Sequence, residues 1–291
     1  MVNEKKIDFM IIGAQKAGTS SLSYYLSQHP QILTHYTYEF IYFFQDDVFS
    51  KGFETAFNHN YKIDDTNKFL LAKNVMVMYS QDALKRLYMH NPDVKIIIVL
   101  RNPVARAYSS FWFAKSTGRE RALSFEDAIS GKENNQAATN KYIQQNLQYL
   151  EMGEYAKYLK NVMDIFPVKN IKVIIFEDFV KDLENEMNDV LKFLQLPLIS
   201  LDTSKKINES KAAKSQLLAN LTTPGKKSKL SKLIPLKYKN KIRKFIMKHN
   251  SKPFKAPPLN EKTKEELNQY YKEYNIELAN ILNKKLPWSN N

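Results

Sequence analysis

The sequence predicts an α/β protein with three layers, in which a central, mainly parallel sheet is flanked by helices. Short apolar runs that are typical of buried strands alternate along the chain with longer segments whose apolar residues recur at helical spacing. The clearest strand, Lys95–Leu100, is largely β-branched, as expected for a strand that is buried on both faces of a parallel sheet. The first predicted strand, residues 7–12, leads through a glycine-containing loop into a helix that begins at Thr19.

The remaining elements continue this alternation. Further strands are predicted at Ile32–Thr34, Phe69–Lys73 and residues 171–176. Helices are predicted at residues 19–29, 81–89, 104–114, 124–129, 153–166, 179–194 and Glu261–Leu282. The whole chain, 1–291, is expected to form one domain, with a core over 7–200, a basic helical excursion over 205–255 and a C-terminal helix over 260–284 that packs back on the core.

The composition is that of a globular protein, since 43% of the 291 residues are hydrophobic and 25% are charged. The chain contains no cysteine, which excludes disulfide bonds and thiolate metal sites. No apolar signal segment precedes the first strand, and no apolar run is long enough to span a bilayer. We therefore expect a soluble, cytoplasmic protein without a transmembrane segment.

The net charge of +14 is concentrated in one segment. Between Lys205 and Lys255 the chain has sixteen lysine or arginine residues and a single acid, Glu209. A localised basic surface can gather an anionic partner. A solvated, lysine-rich excursion without a partner is the alternative interpretation.

The loop after the first strand has the composition of a phosphate-binding loop. Gly13 and Gly18 have the spacing of the Walker A pattern, but Thr19 follows where that pattern has its lysine. The lysine lies inside the loop instead, at Lys16. The predicted fold is therefore P-loop-like, with an anion held by backbone N–H groups at the helix N-terminus. The residues expected to bind this anion are Lys16, Ala17, Gly18, Thr19, Ser20 and Ser21.

A second cationic group follows the strand Lys95–Leu100. Arg101 stands at the C-terminal end of this strand, where open α/β sheets bind ligands, and Ser109 lies two helical turns into the next helix. Both side chains can reach one phosphate, the arginine by a bidentate bond and the serine by its hydroxyl group. A kinase that uses ATP and Mg²⁺ would need an acidic residue here to hold the metal. The arginine therefore favours a second phosphate and no metal ion.

Two segments resemble the signature regions of the sulfotransferases, which use 3′-phosphoadenosine 5′-phosphosulfate (PAPS) as co-substrate and need no metal. Residues 13–21 are similar to the family's 5′-phosphosulfate loop, and residues 100–109 are similar to its 3′-phosphate motif. The heparan-sulfate-type and bacterial branch is the closer match. Its acid-plus-aromatics motif and its C-terminal features reappear at 39–43, 255–258, 274–278 and 286–288.

The resemblance implies the roles of three candidates near the sulfuryl group. Lys16 is expected to stabilise the oxygen that leaves the sulfur atom. Glu39 is expected to be the general base that takes the proton of the acceptor, because its aromatic neighbours would raise its pKa. His35, four residues away, is the alternative base, since other branches of the family use histidine.

Two further lysines are implied by the same resemblance. Lys73 is expected near the sulfuryl group, although Ala72 stands where the family often has a glutamate that pairs with this lysine. Lys255 is expected to close over the 3′-phosphate, as the late basic loop of the family does. A charge on a solvated connector is the alternative interpretation of Lys255.

We therefore expect a PAPS-dependent sulfotransferase that moves a sulfuryl group to a hydroxyl or amine of an acceptor. The expected acceptor is a carbohydrate, such as an anionic polysaccharide. The alternatives are a small-molecule or lipid acceptor, a P-loop kinase that uses ATP, and a non-catalytic protein that binds nucleic acid or anionic surfaces through residues 205–255. No nucleic acid partner is expected, because such a binder would not explain Lys16, Arg101 and Ser109 in their predicted places.

Overall fold

The structure is a computed structural model, and it describes residues 5–62, 68–130, 147–203, 211–213, 251–253 and 256–289. The chain divides into two compact units. The first contains Met1–Pro103, Glu154–Ile207 and Tyr271–Asn291, and the second contains Val104–Gly153 and Asn208–Tyr270. The prediction that the whole chain forms one domain stays a prediction.

The first unit is built on a five-stranded sheet. Its strands are β1 (Ile7–Gly13), β2 (Ile32–Thr34), β3 (Phe69–Lys73), β4 (Lys95–Leu100) and β5 (Ile171–Ile175). They lie in the order β2-β3-β1-β4-β5, and every neighbouring pair is parallel. Residues 96–100 of β4 are all buried, which fits its largely β-branched composition. The predicted α/β fold with a central parallel sheet is confirmed.

Helices follow the strands in the predicted alternation. The described helices are α1 (Thr19–Leu26), α2 (Asp46–Phe49), α3 (Phe53–Asn60), α4 (Gln81–His90), α5 (Pro103–Ser116), α6 (Phe125–Ile129), α7 (Tyr155–Met163), α8 (Phe176–Lys181), α9 (Leu183–Phe193) and α10 (Glu261–Leu282). Short 3₁₀ turns occupy Val77–Tyr79, Glu151–Gly153 and Val168–Asn170.

The prediction of one continuous helix over residues 179–194 was wrong. Helix α8 begins earlier, at Phe176, and is separated from α9 by Asp182, whose φ of −139° and ψ of 66° are not helical. The carboxylate of Asp182 accepts a hydrogen bond from the side chain of Asn185 at 2.8 Å. Aspartate favours such helix ends, because its side chain competes with the helical backbone for hydrogen bonds.

The second unit contains most of α5, helix α6 and a small two-stranded sheet. Strand β6 (Lys211–Ala213) pairs antiparallel with β7 (Ser251–Pro253). The side chain of Ser124 caps α6 by accepting a hydrogen bond from the N–H group of Asp127 at 3.0 Å. Apart from these two strands, the basic segment 205–255 lies outside the described residues, so the prediction that it is helical stays a prediction.

An aromatic cluster packs around Phe40, in the segment that follows β2. The ring of Phe40 is fully buried, and its centroid lies 5.9 Å from that of Phe43 and 5.8 Å from that of Tyr61. The backbone of Phe40 is also fixed, because its N–H group donates to the carbonyl oxygen of Lys73 at 2.8 Å. The cluster thus attaches the segment that contains Glu39 to the end of β3.

None of the helices in the described ranges is long and apolar enough to cross a membrane.

Replacing Phe40 by alanine is expected to lower the free energy of unfolding by about 3–5 kcal/mol, because it leaves a cavity inside the aromatic cluster. Urea denaturation monitored by circular dichroism measures this change. The matched control is Met89→Ala on α4, where the side chain is 70% exposed, and its effect should stay within about 0.5 kcal/mol. Equal effects of the two substitutions would contradict the packing described here.

Candidate active site

Five predicted site residues of the first unit follow, or end, strands of the parallel sheet. Lys16 lies in the loop after β1, His35 and Glu39 follow β2, Lys73 ends β3, and Arg101 follows β4. Parallel strands place their carboxyl ends at one edge of the sheet, so these residues are brought to that edge. Strand β1 has β3 on one side and β4 on the other. Such a change in the direction of chain progression is where open α/β sheets bind ligands.

The loop after β1 turns tightly from the sheet into α1. The N–H group of Ala14 donates to the carbonyl oxygen of Val99 at 2.7 Å, which fixes the start of the loop on β4. Lys16 and Gly18 both have left-handed backbone conformations, with φ of 66° and 90°. Helix α1 then begins at Thr19, and the N–H group of Ser21 donates to the carbonyl oxygen of Gly18 at 3.0 Å. The N-terminus of this helix therefore lies directly at the loop, and helix N-termini attract anions.

Gly18 is required at its position for a second reason. A Cβ atom at this residue would lie 2.8 Å from the ring of Phe176, which is closer than carbon atoms approach each other. Phe176 is the first residue of α8, directly after β5. The ring of Phe176 therefore forms one wall of the loop after β1.

The same ring supports Arg101. The guanidinium carbon of Arg101 lies 4.9 Å from the centroid of the Phe176 ring, a distance at which a cation is attracted to the ring face. Its Nη1–H group donates to the carbonyl oxygen of Lys16 at 3.2 Å. Burial, followed by the charge of Arg101, lowers the pKa of Lys16 to about 8. Two cationic side chains thus lie close together, and an anionic ligand between them would reduce their mutual repulsion.

The backbone around Arg101 is held by two further side chains. The hydroxyl group of Tyr155 donates to the carbonyl oxygen of Arg101 at 2.9 Å. The carboxylate of Glu177 accepts a hydrogen bond from the N–H group of Asn102 at 3.0 Å. These bonds fix the turn from β4 into α5, and with it the starting point of the arginine side chain.

Glu39 and Lys73 form a buried ion pair between Oε1 and Nζ, with side-chain exposures of 7% and 6%. The second oxygen of Glu39 accepts a hydrogen bond from the N–H group of Val75 at 3.1 Å. Burial raises the pKa of Glu39, and the ammonium group of Lys73 opposes this shift. Nζ of Lys73 also lies 4.9 Å from the centroid of the Tyr38 ring.

Both ring nitrogens of His35 have protein partners. Nε2 accepts a hydrogen bond from the backbone N–H group of Lys73 at 3.1 Å, and Nδ1 lies 3.1 Å from the hydroxyl oxygen of Thr37. Burial, with the nearby charge of Lys73 as the second cause, lowers the pKa of His35 to about 4. The imidazole is therefore neutral at neutral pH.

Comparison with known proteins identifies the family of this chain. The family model described as "Sulfotransferase domain" matches residues 6–279. The chain belongs to the sulfotransferase family. It is therefore a transferase, and the edge of the sheet just described is the candidate active site of a sulfotransferase.

The relatives of this sulfotransferase include much longer proteins. It is 28% identical over 284 residues to human bifunctional heparan sulfate N-deacetylase/N-sulfotransferase 3, and the aligned region covers 95% of this chain and 30% of that protein. It is 27% identical over 289 residues to the mouse N-deacetylase/N-sulfotransferase 4, with the same two coverages. The chain thus spans about 30% of the length of these curated relatives.

A solved structure shares the fold of this sulfotransferase. The crystal structure of a sulfotransferase from Alicyclobacillus acidocaldarius covers 98% of this chain and 99% of its own, with a TM-score of 0.70 and 23% sequence identity. Its similarity extends the agreement in fold to nearly the full length of both proteins.

The predicted roles of two further site residues of the sulfotransferase stay predictions. Ser109 lies in α5, within the second unit, and is half-buried. Lys255 lies outside the described residues. Their predicted contacts with a 3′-phosphate stay predictions, and the same holds for the predicted independence from metal. Within the described ranges, no group of three or more His, Cys, Asp or Glu side chains is arranged to hold a metal ion.

Sequence reasoning about the sulfotransferase site missed several residues. Phe176 and Glu177 follow β5 at the edge that contains Arg101, and this position after a buried strand was a signal that could have identified them. The contact of Tyr155 with Arg101 had no such signal, since it spans 54 residues of the chain.

Replacing Lys16 by methionine is expected to change how stability depends on pH. The pKa of Lys16 falls from 10.5 to about 8 on folding, so between these values the unfolded chain binds more protons than the folded one. In this range the contribution of Lys16 to the free energy of unfolding rises with pH. Lys16→Met should therefore be more stable than the wild type near pH 7, and this advantage should shrink by pH 10.

Urea denaturation of both proteins at pH 7 and pH 10 measures this difference. The exposed Lys85 is the matched control, because its side chain lies in solvent. Lys85→Met should differ from the wild type by the same amount at both pH values. The burial of Lys16 would be contradicted if Lys16→Met behaved in the same way.

Proposed function

We propose that the protein transfers a sulfuryl group from PAPS to a hydroxyl or amine of a carbohydrate acceptor, without a metal ion. The observation that supports this proposal most strongly is the proximity of the Lys16 and Arg101 charges, with the Arg101 guanidinium donating to the backbone carbonyl oxygen of Lys16 just before α1. PAPS presents anionic groups at both ends of its ribose, and two adjacent cationic side chains suit such a ligand. An ATP-dependent kinase is less well supported, because the loop lysine is displaced from its Walker position.

On this proposal the donor nucleotide is held by groups of the loop and of β4. The N–H groups and hydroxyl groups of the first turn of α1 bind the 5′-phosphosulfate. Arg101 binds the 3′-phosphate, and Ser109 and Lys255 complete this site. The residues proposed to bind PAPS are Lys16, Ala17, Gly18, Thr19, Ser20, Ser21, Arg101, Ser109 and Lys255.

The proposed reaction is an in-line displacement at sulfur. The carboxylate of Glu39 takes the proton of the acceptor hydroxyl or amine as the acceptor atom forms its bond to sulfur. The bond between sulfur and the bridging oxygen of the 5′-phosphate breaks, and the ammonium group of Lys16 stabilises the charge on this leaving oxygen. The products are the sulfated acceptor and adenosine 3′,5′-bisphosphate, and the proton on Glu39 passes to solvent.

Lys73 has two roles in this proposal. Its ammonium group orients the Glu39 carboxylate and adds positive charge for the oxygens of the sulfuryl group. The contacts of Glu39 with Lys73 and Val75 do not exhaust its acceptor capacity, since each carboxylate oxygen has two lone pairs. Glu39 can therefore accept a proton while it stays paired. Burial also raises its pKa, which suits a general base.

His35 is less suitable as the base. A general base needs a free lone pair, and Nε2 of His35 already accepts the N–H group of Lys73. Its lowered pKa, about 4, further weakens it as a proton acceptor at neutral pH. Glu39 is therefore the base that we propose.

A carbohydrate acceptor is supported by the relatives, which include heparan sulfate N-deacetylase/N-sulfotransferases from human and mouse. The basic segment 205–255 adds charge that suits an anionic polysaccharide. A probe that offers both hydroxyl and amino groups is heparin from which the N-sulfates have been removed. A small-molecule or lipid acceptor is the alternative outcome of assays with this probe.

Adenosine 3′,5′-bisphosphate is expected to raise the thermal unfolding temperature without Mg²⁺. At a concentration of 100 times its Kd, this ligand would add about 2.7 kcal/mol to the free energy of unfolding. The shift should be smaller in Arg101→Gln, and it should shrink above pH 8 as Lys16 loses its proton. Differential scanning fluorimetry measures it. Stabilisation by ATP and Mg²⁺, with none by the bisphosphate, would overturn the sulfotransferase donor site.

Glu39→Gln is expected to reduce sulfuryl transfer to N-desulfated heparin by about 100-fold or more, because an amide cannot take the acceptor proton. Binding of adenosine 3′,5′-bisphosphate should be retained, which calorimetry can measure. The matched control is Glu54→Gln on the exposed face of α3, which should transfer at the wild-type rate. Retained transfer in Glu39→Gln would show that another group is the base.

A further inference from the structure

A chain of hydrogen bonds behind the Glu39–Lys73 pair connects the side chains of His35, Thr37 and Asn60. The hydroxyl oxygen of Thr37 lies 2.7 Å from Oδ1 of Asn60 and 3.1 Å from Nδ1 of His35. Nε2 of His35 in turn lies 3.1 Å from the backbone nitrogen of Lys73. This series of hydrogen bonds therefore ends on Lys73, whose ammonium group pairs with Glu39.

The side chain of Asn60 determines which atom donates in each of these hydrogen bonds. Its Nδ2 donates to the carbonyl oxygen of Ala56 at 2.7 Å, so its Oδ1 faces Thr37 and can only accept. Thr37 has one hydroxyl proton, and its other acceptor, the carbonyl oxygen of Glu39 at 3.3 Å, cannot donate either. Thr37 must therefore accept the Nδ1–H group of His35. Nε2 is then unprotonated, as its bond from Lys73 also requires.

The ring of His35 is confined as well as bonded. Its centroid lies 6.0 Å from that of Phe40 and 6.2 Å from that of Tyr61. The hydroxyl group of Tyr61 donates to the carbonyl oxygen of Leu71 at 3.0 Å, so this neighbour is itself fixed to β3. The imidazole thus has one position and one tautomer.

Lys73 is held by the segment 35–40 through both of its backbone groups and its side chain. Its N–H group donates to His35, its carbonyl oxygen accepts from the N–H group of Phe40, and its ammonium group pairs with Glu39. A change in the position of His35 would therefore shift the backbone of Lys73 relative to the carboxylate of Glu39. This relay of hydrogen bonds, from Asn60 through Thr37 and His35 to the backbone of Lys73, therefore fixes Lys73 relative to Glu39.

We propose that His35, Thr37 and Asn60 are positioning residues that orient the Glu39–Lys73 pair for proton transfer. This inference rests on the proposed roles of Glu39 and Lys73. It assigns His35 a task other than that of a base, and it assigns tasks to Thr37 and Asn60. None of the three touches the reacting atoms. They act through the backbone of Lys73.

Thr37→Val tests the relay, because valine keeps the shape of threonine and removes its hydroxyl group. We expect kcat with PAPS and N-desulfated heparin to fall by about tenfold, since small misplacements of catalytic groups are costly. The KM for PAPS should stay within about twofold of the wild type, because the PAPS-binding loop is untouched. Thr37→Ser, which keeps the hydroxyl group, should restore kcat. The exposed Thr55→Val on α3 is the matched control.

Nitrogen-15 NMR of the histidine rings gives a readout that needs no acceptor. The wild type should show a single Nδ1–H tautomer for His35, assigned by its absence in His35→Gln, and Thr37→Val should keep this tautomer but shift the Nδ1 resonance, because the Nδ1 proton loses its acceptor. A wild-type kcat with an unchanged Nδ1 resonance in Thr37→Val would overturn the proposal. So would an equal loss of kcat in Thr37→Ser, or a lowered unfolding temperature with unchanged kcat. If Glu39→Gln retained transfer, the proposed base would fail, while the ring spectrum would still decide for or against the relay.

Discussion

The parallel pairing of β1 with β3 on one side and with β4 on the other fixes where the candidate groups of the first unit lie. Ile11 is in register with Lys73, and Gly13 is in register with Ile98, three residues before Arg101. The hydrogen bonds between these strands hold this register. The register places the loop of Lys16 between the end of β3, at Lys73, and the end of β4, before Arg101.

Charge is buried at this edge at a cost in stability. Burial lowers the pKa of Lys16 and raises that of Glu39, so the solvent around both groups has been partly removed. A buried ion pair such as Glu39–Lys73 is weak evidence for added stability, because desolvation offsets its attraction. In the proposed reaction such a pair would contribute preorganisation, since groups that are already oriented need no rearrangement when charge develops. The polar relay from Asn60 to Lys73 fits this description.

Much of the fold could be predicted from the sequence, because its signals are local. The largely β-branched run of β4 and the glycines of the first loop predicted the sheet and the turn from β1 into α1. The family resemblance added the candidate roles of Glu39 and Lys73, but it did not predict that they pair with each other. They are 34 residues apart, and only the register of β2 on β3 and the aromatic cluster bring them together. The break at Asp182 was missed because helical periodicity continues across it. The ring of Phe176 is seen as a wall of the loop only when α8 is placed against Gly18.

The strand order has a consequence for how such an enzyme can diversify. The groups proposed to act on the acceptor, Glu39 and Lys73, lie on the β2 and β3 side of β1. Arg101, which is proposed to bind the nucleotide, and its neighbour Phe176 lie on the β4 and β5 side. The loop of Lys16 follows β1, between these two sides. On the proposed roles, substitutions in the segment between β2 and β3 can therefore alter which acceptor is used without changing the residues that bind the nucleotide. The acceptor side of the sheet can evolve while the nucleotide side stays the same.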